Sequence, residues 1–476
     1  MAGNSHGGVA TSGEGGYAVM TVMTQRRGIH SSGRKSSTAA GLPGAVPPPA
    51  NLEPSRAPLS VLPLSMILRS LGTTVVSSSP LLLPPSLGLM QLLANSTNPI
   101  FNPDKNPLLR FFLKKSFYAQ FCAGENPAEV KATIGRLKDI GFTGVILGYA
   151  REVVLTQKEG QGVDLPSMTE QEVQRAIDTE IVPWTKGTLE TVRLAQPGDF
   201  VALKFTGAGS IALYQLRNRL PAHPYLSESI YSICQLAHER GVRLLFDAEQ
   251  NALQDGIDDW TMEFATKYNS SPDSATVYGT YQAYKKNIPS VLSRHLAQAQ
   301  EGRFTLGVKL VRGAYLGSDP RECFHDTKAD TDACYDSIAA SVLTRQWNGT
   351  LSGNGEYPSA HLVLATHNAE SVQKARAICD AGGAKSEIAF AQLQGMADEI
   401  SCELVEASNS ARVDAASTAP KLPVYKYLVW GTTGECMKYL LRRAQENKDA
   451  VQRTRSGRDA MLAEVVRRIK NALRLA

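Results

Sequence analysis

An α/β fold that closes into a (β/α)8 barrel is what the sequence predicts, and three observations carry it. Eight short apolar runs alternate with helical stretches from Gly144 onward. Polar residues recur at the C-terminal ends of those runs. No G-x-G-x-x-G follows any of them, so the alternative, an open doubly wound sheet, lacks its dinucleotide fingerprint. Strand, helix and strand in alternation imply right-handed crossovers and parallel pairing, and eight repeats suffice for closure.

The chain has 476 residues, room for one large or two ordinary domains, and its 43% hydrophobic content can fill a core. Seven scattered cysteines without a CxxC pair argue against a disulfide framework and against a zinc knuckle, so no metal is expected. The most apolar stretch, Ile67 to Leu93, is interrupted by Pro80, Pro84 and Pro85, which disfavours a spanning helix.

Taken in order, residues 1–57 are rich in Gly, Ser, Ala and Pro, with Arg26, Arg27, Arg34, Lys35 and Arg56 against Glu14 and Glu53. That is the composition of an organelle transit segment, with a disordered tail as the alternative. Residues 58–140 comprise the proline-broken apolar patch, a hinge at Asn102 to Pro107, and a helical arm from Leu108 to Cys122 continued by Pro127 to Ile140. Residues 141–476 form the barrel domain. Its strands are expected at Gly144–Tyr149, Phe200–Lys204, Val242–Asp247, Thr276–Gln282, Leu306–Arg312, Leu362–His367, Ile388–Leu393 and Val424–Trp430. The long insertion from Val153 to Pro197 should carry its own helix. The polar loops around 347–359 and 407–420 are assigned no chemistry.

Lys204, Asp247, Gln282, Arg312, His367 and Gln392 each stand at or near the C-terminal end of a run, and Tyr427 lies within the eighth. In a parallel barrel those ends meet at the mouth. Singly, each has a plainer reading: Lys204 as a surface lysine, Asp247 as a cap, His367 as a structural histidine, Lys309 and Arg312 as neutralisers of Asp247. Together they describe a mouth with several cations and one carboxylate, suited to anionic ligands.

A late helix completes the picture. Thr432 and Glu435 offer a capping box, and Met437, Leu440, Leu441 and Ala444 share one face. Arg442 and Arg443 stand four and three residues before Glu446, which can hold either guanidinium. They could be a solvated ion pair or a fork for one small carboxylate. Packed beside the barrel, this helix would leave Arg443 about 15 Å from the mouth. A ligand role therefore requires it to cross the mouth, with Gly457 to Leu473 free to take the vacated outer position. From Lys438 to the end there are eleven Lys/Arg and four Asp/Glu, a local +7 within an overall +5. That end could meet anionic lipid or be a solvated face.

Six segments in order resemble the proline dehydrogenase family, most closely its fungal mitochondrial members. They are Phe246-Asp-Ala-Glu-Gln250, Thr280-Tyr-Gln-Ala-Tyr284, Lys309-Leu-Val-Arg-Gly-Ala-Tyr315, Ala365-Thr-His-Asn368, Gln392-Leu-Gln-Gly-Met396 and Tyr439-Leu-Leu-Arg-Arg-Ala-Gln-Glu-Asn447. The resemblance implies a distorted barrel with its last helix over the mouth and FAD bound noncovalently. It implies oxidation of L-proline to 1-pyrroline-5-carboxylate by hydride transfer to flavin N5, with electrons passed to a quinone. The site would be mitochondrial, on the matrix side, in peripheral contact with the inner membrane. By motif position, Arg442, Arg443 and Lys204 would hold the substrate carboxylate, and Asp247, Tyr427, Leu393, Tyr315 and Glu446 would complete the pocket. Gln282, Lys309, Arg312, Gly313, Lys328, His367 and Asn368 would contact the flavin. Lys309 and Arg312 exchange lysine for arginine relative to the bacterial motif, so both remain candidates for the ring contact. Three other readings stand beside this one: a hydroxyproline dehydrogenase of the same fold, a barrel aldolase using Lys204 as a Schiff-base amine, and a basic membrane-binding module. Few aromatics accompany the basic tail, so nucleic acid is not expected as a partner.

Overall fold

The computed structural model describes residues 57–150, 168–271, 273–413, 422–449 and 451–473, so the transit reading of residues 1–57 lies, but for its last residue, outside them. Eight parallel strands form a closed barrel in sequential order: β1 (Gly144–Tyr149), β2 (Phe200–Leu203), β3 (Arg243–Phe246), β4 (Val277–Gln282), β5 (Leu306–Val311), β6 (Ala360–Ala365), β7 (Ile388–Leu393) and β8 (Val424–Trp430). All eight expected strands are present. The open sheet is excluded by the pairing of β1 with β8 over Gly144 to Tyr149.

Register decides what each strand offers to either side, because side chains alternate. Val308 and Leu310 of β5 face the helices in the main core, whereas Val363, Ala389, Ala391 and Tyr425 of β6 to β8 fill the barrel interior. The lower interior is plugged by Phe200, Tyr278 and Tyr425, with the Arg243 guanidinium 3.8 Å from the Phe200 ring centroid. Gly307 makes room there, since a Cβ on it would stand 2.5 Å from Tyr278. With the lower end closed by aromatic rings, the open end for chemistry is the C-terminal one.

The insertion after β1 carries Glu170–Ala176, capped by a Thr169/Glu172 box, and Val182–Leu194. The arm differs from the expected continuous helix. Pro107–Leu113 runs through a π turn, Lys114–Tyr118, into the short Ala119–Phe121, and the chain then extends before Pro127–Ile140. That last helix begins on Asn126 as cap with a proline in its first turn, and it ends at Gly141 in the left-handed region. Val130, Ile134 and Leu137 enter the main core. The helix lies along β1 beside Val182–Leu194, while Gly141 abuts Val405 of the helix Asp398–Val413.

This is the outer wall position that the sequence assigned to Gly457 to Leu473. That assignment is corrected: Val451–Ala472 packs instead on Leu64–Ser78, Met461 joining Leu59, Leu62, Ile67 and Cys402 in a separate small core. The wall was already filled from the N-terminal side, which leaves Thr433–Asp449 free to cross the mouth. Among the described residues no single helix is long and apolar enough to cross a membrane, and Leu64–Ser78 and Leu83–Asn95 meet at 106°.

Candidate active site

The helix Thr433–Asp449 is built to sit where it does. Thr432 and Glu435 form the expected box: Glu435 Oε2 accepts from Thr432 N at 2.9 Å, and Thr432 Oγ1 accepts from Glu435 N at 3.2 Å. Glu125, just before Pro127–Ile140, accepts from Thr433 N at 3.0 Å and Thr433 Oγ1 at 2.7 Å, and it also pairs with Arg110 and Lys114. Burial alone would raise the Glu125 carboxyl, but the hydrogen bonds from Arg110, Lys114 and Thr433 outweigh it and hold it at about 2. One carboxylate thus joins the arm to the positive end of the mouth helix.

The apolar face of that helix, Cys436, Met437, Tyr439 and Leu440, packs with Met90 and Leu93 of Leu83–Asn95 and Met396 just past β7. Leu441 and Ala444, which flank the arginine pair, lie against the same cluster as Leu393 at the end of β7 and Tyr427 of β8. The helix therefore crosses the C-terminal end of the barrel. Arg443 is only 7% exposed, with its guanidinium 5.0 Å from the Tyr439 ring centroid, and Arg442 is half-buried. A charge so far from water is expensive to keep unless anions face it. The side chain of Glu446 lies outside the described residues.

Below the helix, strand alternation puts Lys204, Asp247, Gln282, Lys309, His367, Leu393 and Tyr427 on the inward parity of β2 to β8. Asp247 is the hub. Its Oδ1 pairs with Lys309 Nζ at 2.5 Å, and its Oδ2 accepts from Tyr427 OH at 3.4 Å. Both members of the ion pair are buried, and Lys309 Nζ lies 5.5 Å from the Tyr427 ring centroid. Lys204 stands half-buried at the tip of β2, its carbonyl accepting from Trp184 Nε1 at 3.0 Å. His367 Nε2 accepts from Leu393 N at 3.0 Å, which joins the ends of β6 and β7.

The opposite parity explains two departures. Arg312 is directed away from the interior and spans two helices: its Nε donates to Asp332 at 2.8 Å, Nη1 to Thr366 Oγ1 at 2.7 Å and Nη2 to Ser371 Oγ at 3.0 Å. Lys328 pairs with the same Asp332. Gln392 likewise faces outward and accepts from Ser401 Oγ at 3.0 Å, so it belongs to the wall and not to the mouth. Asn368 Oδ1 accepts from Ser371 N at 3.2 Å and caps Ala369–Asp380.

Several residues that hold the site together were not singled out from the sequence. Glu249 accepts from Thr206 N at 3.1 Å and from its hydroxyl, fixing the turn after Lys204 to the end of β3. Tyr284 OH donates to Gln282 Oε1 at 3.1 Å and accepts from Tyr315 N at 3.1 Å. The same tyrosine explains the backbone of Gly313, a residue the sequence did single out: at φ +141 it has no Cβ to strike the Tyr284 ring 2.2 Å away. Lys285 and Asp319 form a buried pair at 3.2 Å, with Asn251 Oδ1 3.0 Å from Lys285 Nζ. Asp319 N donates to the Tyr315 carbonyl at 2.9 Å, so this pair moors the Tyr315 loop to the ends of β3 and β4. Glu249 shares the inward parity two residues beyond Asp247, a signal available from the sequence. Nothing local marks Asp319 as the partner of Lys285.

The family model for proline dehydrogenase matches residues 130–456. The chain belongs to the proline dehydrogenase family. It is 29% identical over 460 residues, 85% of this chain and 89% of the relative, to a protein named probable mitochondrial proline dehydrogenase in Schizosaccharomyces pombe. It is 27% identical over 402 residues, 75% of this chain and 82% of the relative, to hydroxyproline dehydrogenase of Bos taurus. Among solved structures, proline utilization A from Bdellovibrio bacteriovorus, inactivated by N-propargylglycine, superposes with a TM-score of 0.54 at 18% identity. That match covers 81% of this chain and 38% of the other, so the chain spans about two-fifths of that structure's length.

Proposed function

We propose that this chain oxidises L-proline to 1-pyrroline-5-carboxylate with FAD as hydride acceptor and a membrane quinone as final electron acceptor. The observation that carries the reading is the helix with the adjacent pair Arg442 and Arg443, laid over an inward ring that contains the buried ion pair Lys309–Asp247. The donor set fits a flavin nucleotide: the aromatic and aliphatic surfaces of Tyr427 and Leu393 for a ring, and cationic Arg312 and Lys328 between two capped helix N-termini for phosphates. We assign Lys309, which points inward, to the ring, and Arg312 to the outer, anionic part. Gln282 and His367 share the inward side with Lys309, and Gly313 and Asn368 complete the outer one.

A bound FAD would supply the hydride acceptor and the route for electrons to a quinone. The chain's own residues do the rest. Arg442 and Arg443, with Lys204, hold the substrate carboxylate by charge-assisted bonds. Asp247 favours positive charge near the amine, and Lys309 pairs with that carboxylate at the bottom of the pocket. Leu393, Tyr315 and Tyr427 exclude water and set the ring carbon within reach, so orientation and desolvation carry the rate. Glu446 is assigned to steadying the arginines. The protein works in the mitochondrion on the matrix side, in peripheral contact with the inner membrane.

An anaerobic absorbance titration tests this. The purified protein should show a flavin spectrum that L-proline bleaches. Bleaching by trans-4-hydroxyproline in preference to proline would favour the reading suggested by the bovine relative's name. A colourless protein trapped by borohydride through Lys204 would overturn both.

A further inference from the structure

Sixteen of the twenty exposed large apolar side chains among the described residues lie on 64–112 and 462–473, and only four lie on the rest of the barrel. On Leu64–Ser78 they are Leu64, Leu68 and Val75, and on Leu83–Asn95 they are Leu89 and Leu92. Between and beyond these two helices come Leu81, which is 84% exposed, Leu82, Ile100, Phe101, Leu108, Phe111 and Phe112. On Val451–Ala472 and the next residue the set is Leu462, Val466, Ile469 and Leu473, spaced by four, three and four as one helical face. Neighbouring faces of these helices are the buried ones, through Ile67, Met90, Leu93 and Met461. Because Leu64–Ser78 packs on Val451–Ala472, two of the apolar faces belong to one helix pair. Soluble monomers rarely leave this much apolar surface together.

Charge says what covers it. Residues 57–122 contain five Lys/Arg and a single acid, Asp104. Lys105, Lys115, Arg455 and Lys470 are exposed on these same elements. A partner protein or a second copy would have to bring acids to such a face, whereas an anionic bilayer supplies negative charge at its surface and hydrocarbon beneath it. Leu64–Ser78 and Leu83–Asn95 are each too short to span the hydrocarbon, and the 106° bend between them removes the sum of their lengths as a span.

We infer that Leu64–Ser78, Leu83–Asn95, the segment to Phe112 and the outer face of Val451–Ala472 form an in-plane seat in an anionic phospholipid surface. The basic end alone is not the contact; the exposed apolar residues of 64–112 are. The seat rests on the reading of this chain as a quinone-linked enzyme and deepens it. Leu83–Asn95 packs directly on the mouth helix, so lipid at the seat lies next to the barrel mouth, where a lipophilic acceptor dissolved in lipid must arrive.

Flotation of the full chain with phosphatidylcholine vesicles, with and without phosphatidylglycerol, tests the seat. The wild type should float with the mixed vesicles and resist release by high salt, because apolar burial is not screened. Two double variants, Phe111→Ser with Phe112→Ser and Leu68→Glu with Leu89→Glu, should each lose at least tenfold in vesicle affinity. Leu220→Glu, exposed on the barrel, should change nothing. Two arm variants with unaltered melting temperature keep the test open if either one misfolds. Flotation of wild type and both variants alike would overturn the seat while leaving membrane contact intact. A wild type that stays with the soluble fraction would overturn the membrane contact itself. A wild-type dimer without vesicles that the arm variants reduce to monomer would assign the face to a second copy and overturn the seat.

Discussion

At the scale of single residues, parity gives the lysine and the arginine of Lys309-Leu-Val-Arg312 different surroundings. Three positions apart on a strand means opposite faces, so one cation enters the barrel and the other braces the helices outside. The two should therefore fail differently when removed. Lys309→Met leaves Asp247 buried with no cation at its Oδ1, a loss of roughly 3 to 5 kcal/mol for a broken buried pair. The expected outcome is a lower melting temperature together with collapse of kcat. Arg312→Met strips Asp332, Thr366 and Ser371 of their donor but spares the interior, so flavin retention should fall while any enzyme that stays loaded keeps its kcat. Flavin content by absorbance ratio, measured beside kcat, separates the two outcomes. Arg442→Met should raise KM for proline at least tenfold, the loss expected when an anchor of about 1.4 kcal/mol is removed.

At the scale of elements, the position of the mouth helix depends on how its first turn is held. Glu125 does this from outside the helix, and Glu125→Gln should loosen it: a cap of this kind contributes about 1 kcal/mol. KM should rise, and the melting temperature at neutral pH should fall, because the bonds of ionised Glu125 to Arg110, Lys114 and Thr433 are weakened. The acid limb follows from the same group. A carboxyl depressed from 4.5 to about 2 stabilises the folded chain fully above 4.5, and that contribution disappears as pH falls toward 2. Wild type should lose melting temperature more steeply than Glu125→Gln within that window, and parallel slopes would show that Glu125 is not the group responsible. Sequence alone revealed much at this scale. The eight strands are local patterns of apolar residues ended by a polar one, and the capping box at Thr432 is a local signal as well. What stayed hidden is nonlocal. Glu125 is far in sequence from Thr433, and the bend between Leu64–Ser78 and Leu83–Asn95 is set by packing on two different partners. The π turn at Lys114–Tyr118 breaks an arm that composition describes as one helix. Gln392 was placed at the mouth because distance from a strand end was weighed and its face was not.

At the scale of the whole molecule, the barrel is closed on its outside by a helix that precedes its first strand, and this substitution is what releases a later helix for the mouth. Wall and mouth are consequently different kinds of structure, and they should respond separately to cavity mutations. Leu137 of Pro127–Ile140 is 2% exposed within the main core beside β1, so Leu137→Ala should cost about 2 to 5 kcal/mol of stability. For a chain this long each kcal/mol corresponds to a few degrees at most, so the melting temperature should fall visibly while KM at low temperature holds. Met90 packs in the smaller cluster shared by the arm and the mouth helix. Met90→Ala should do the reverse, raising KM through a less well held Arg442 and Arg443 with little change in the main thermal transition. If Leu137→Ala and Met90→Ala shifted both quantities in the same proportion, arm, wall and mouth would unfold as one cooperative unit, and the separation of scaffold from lid would not hold.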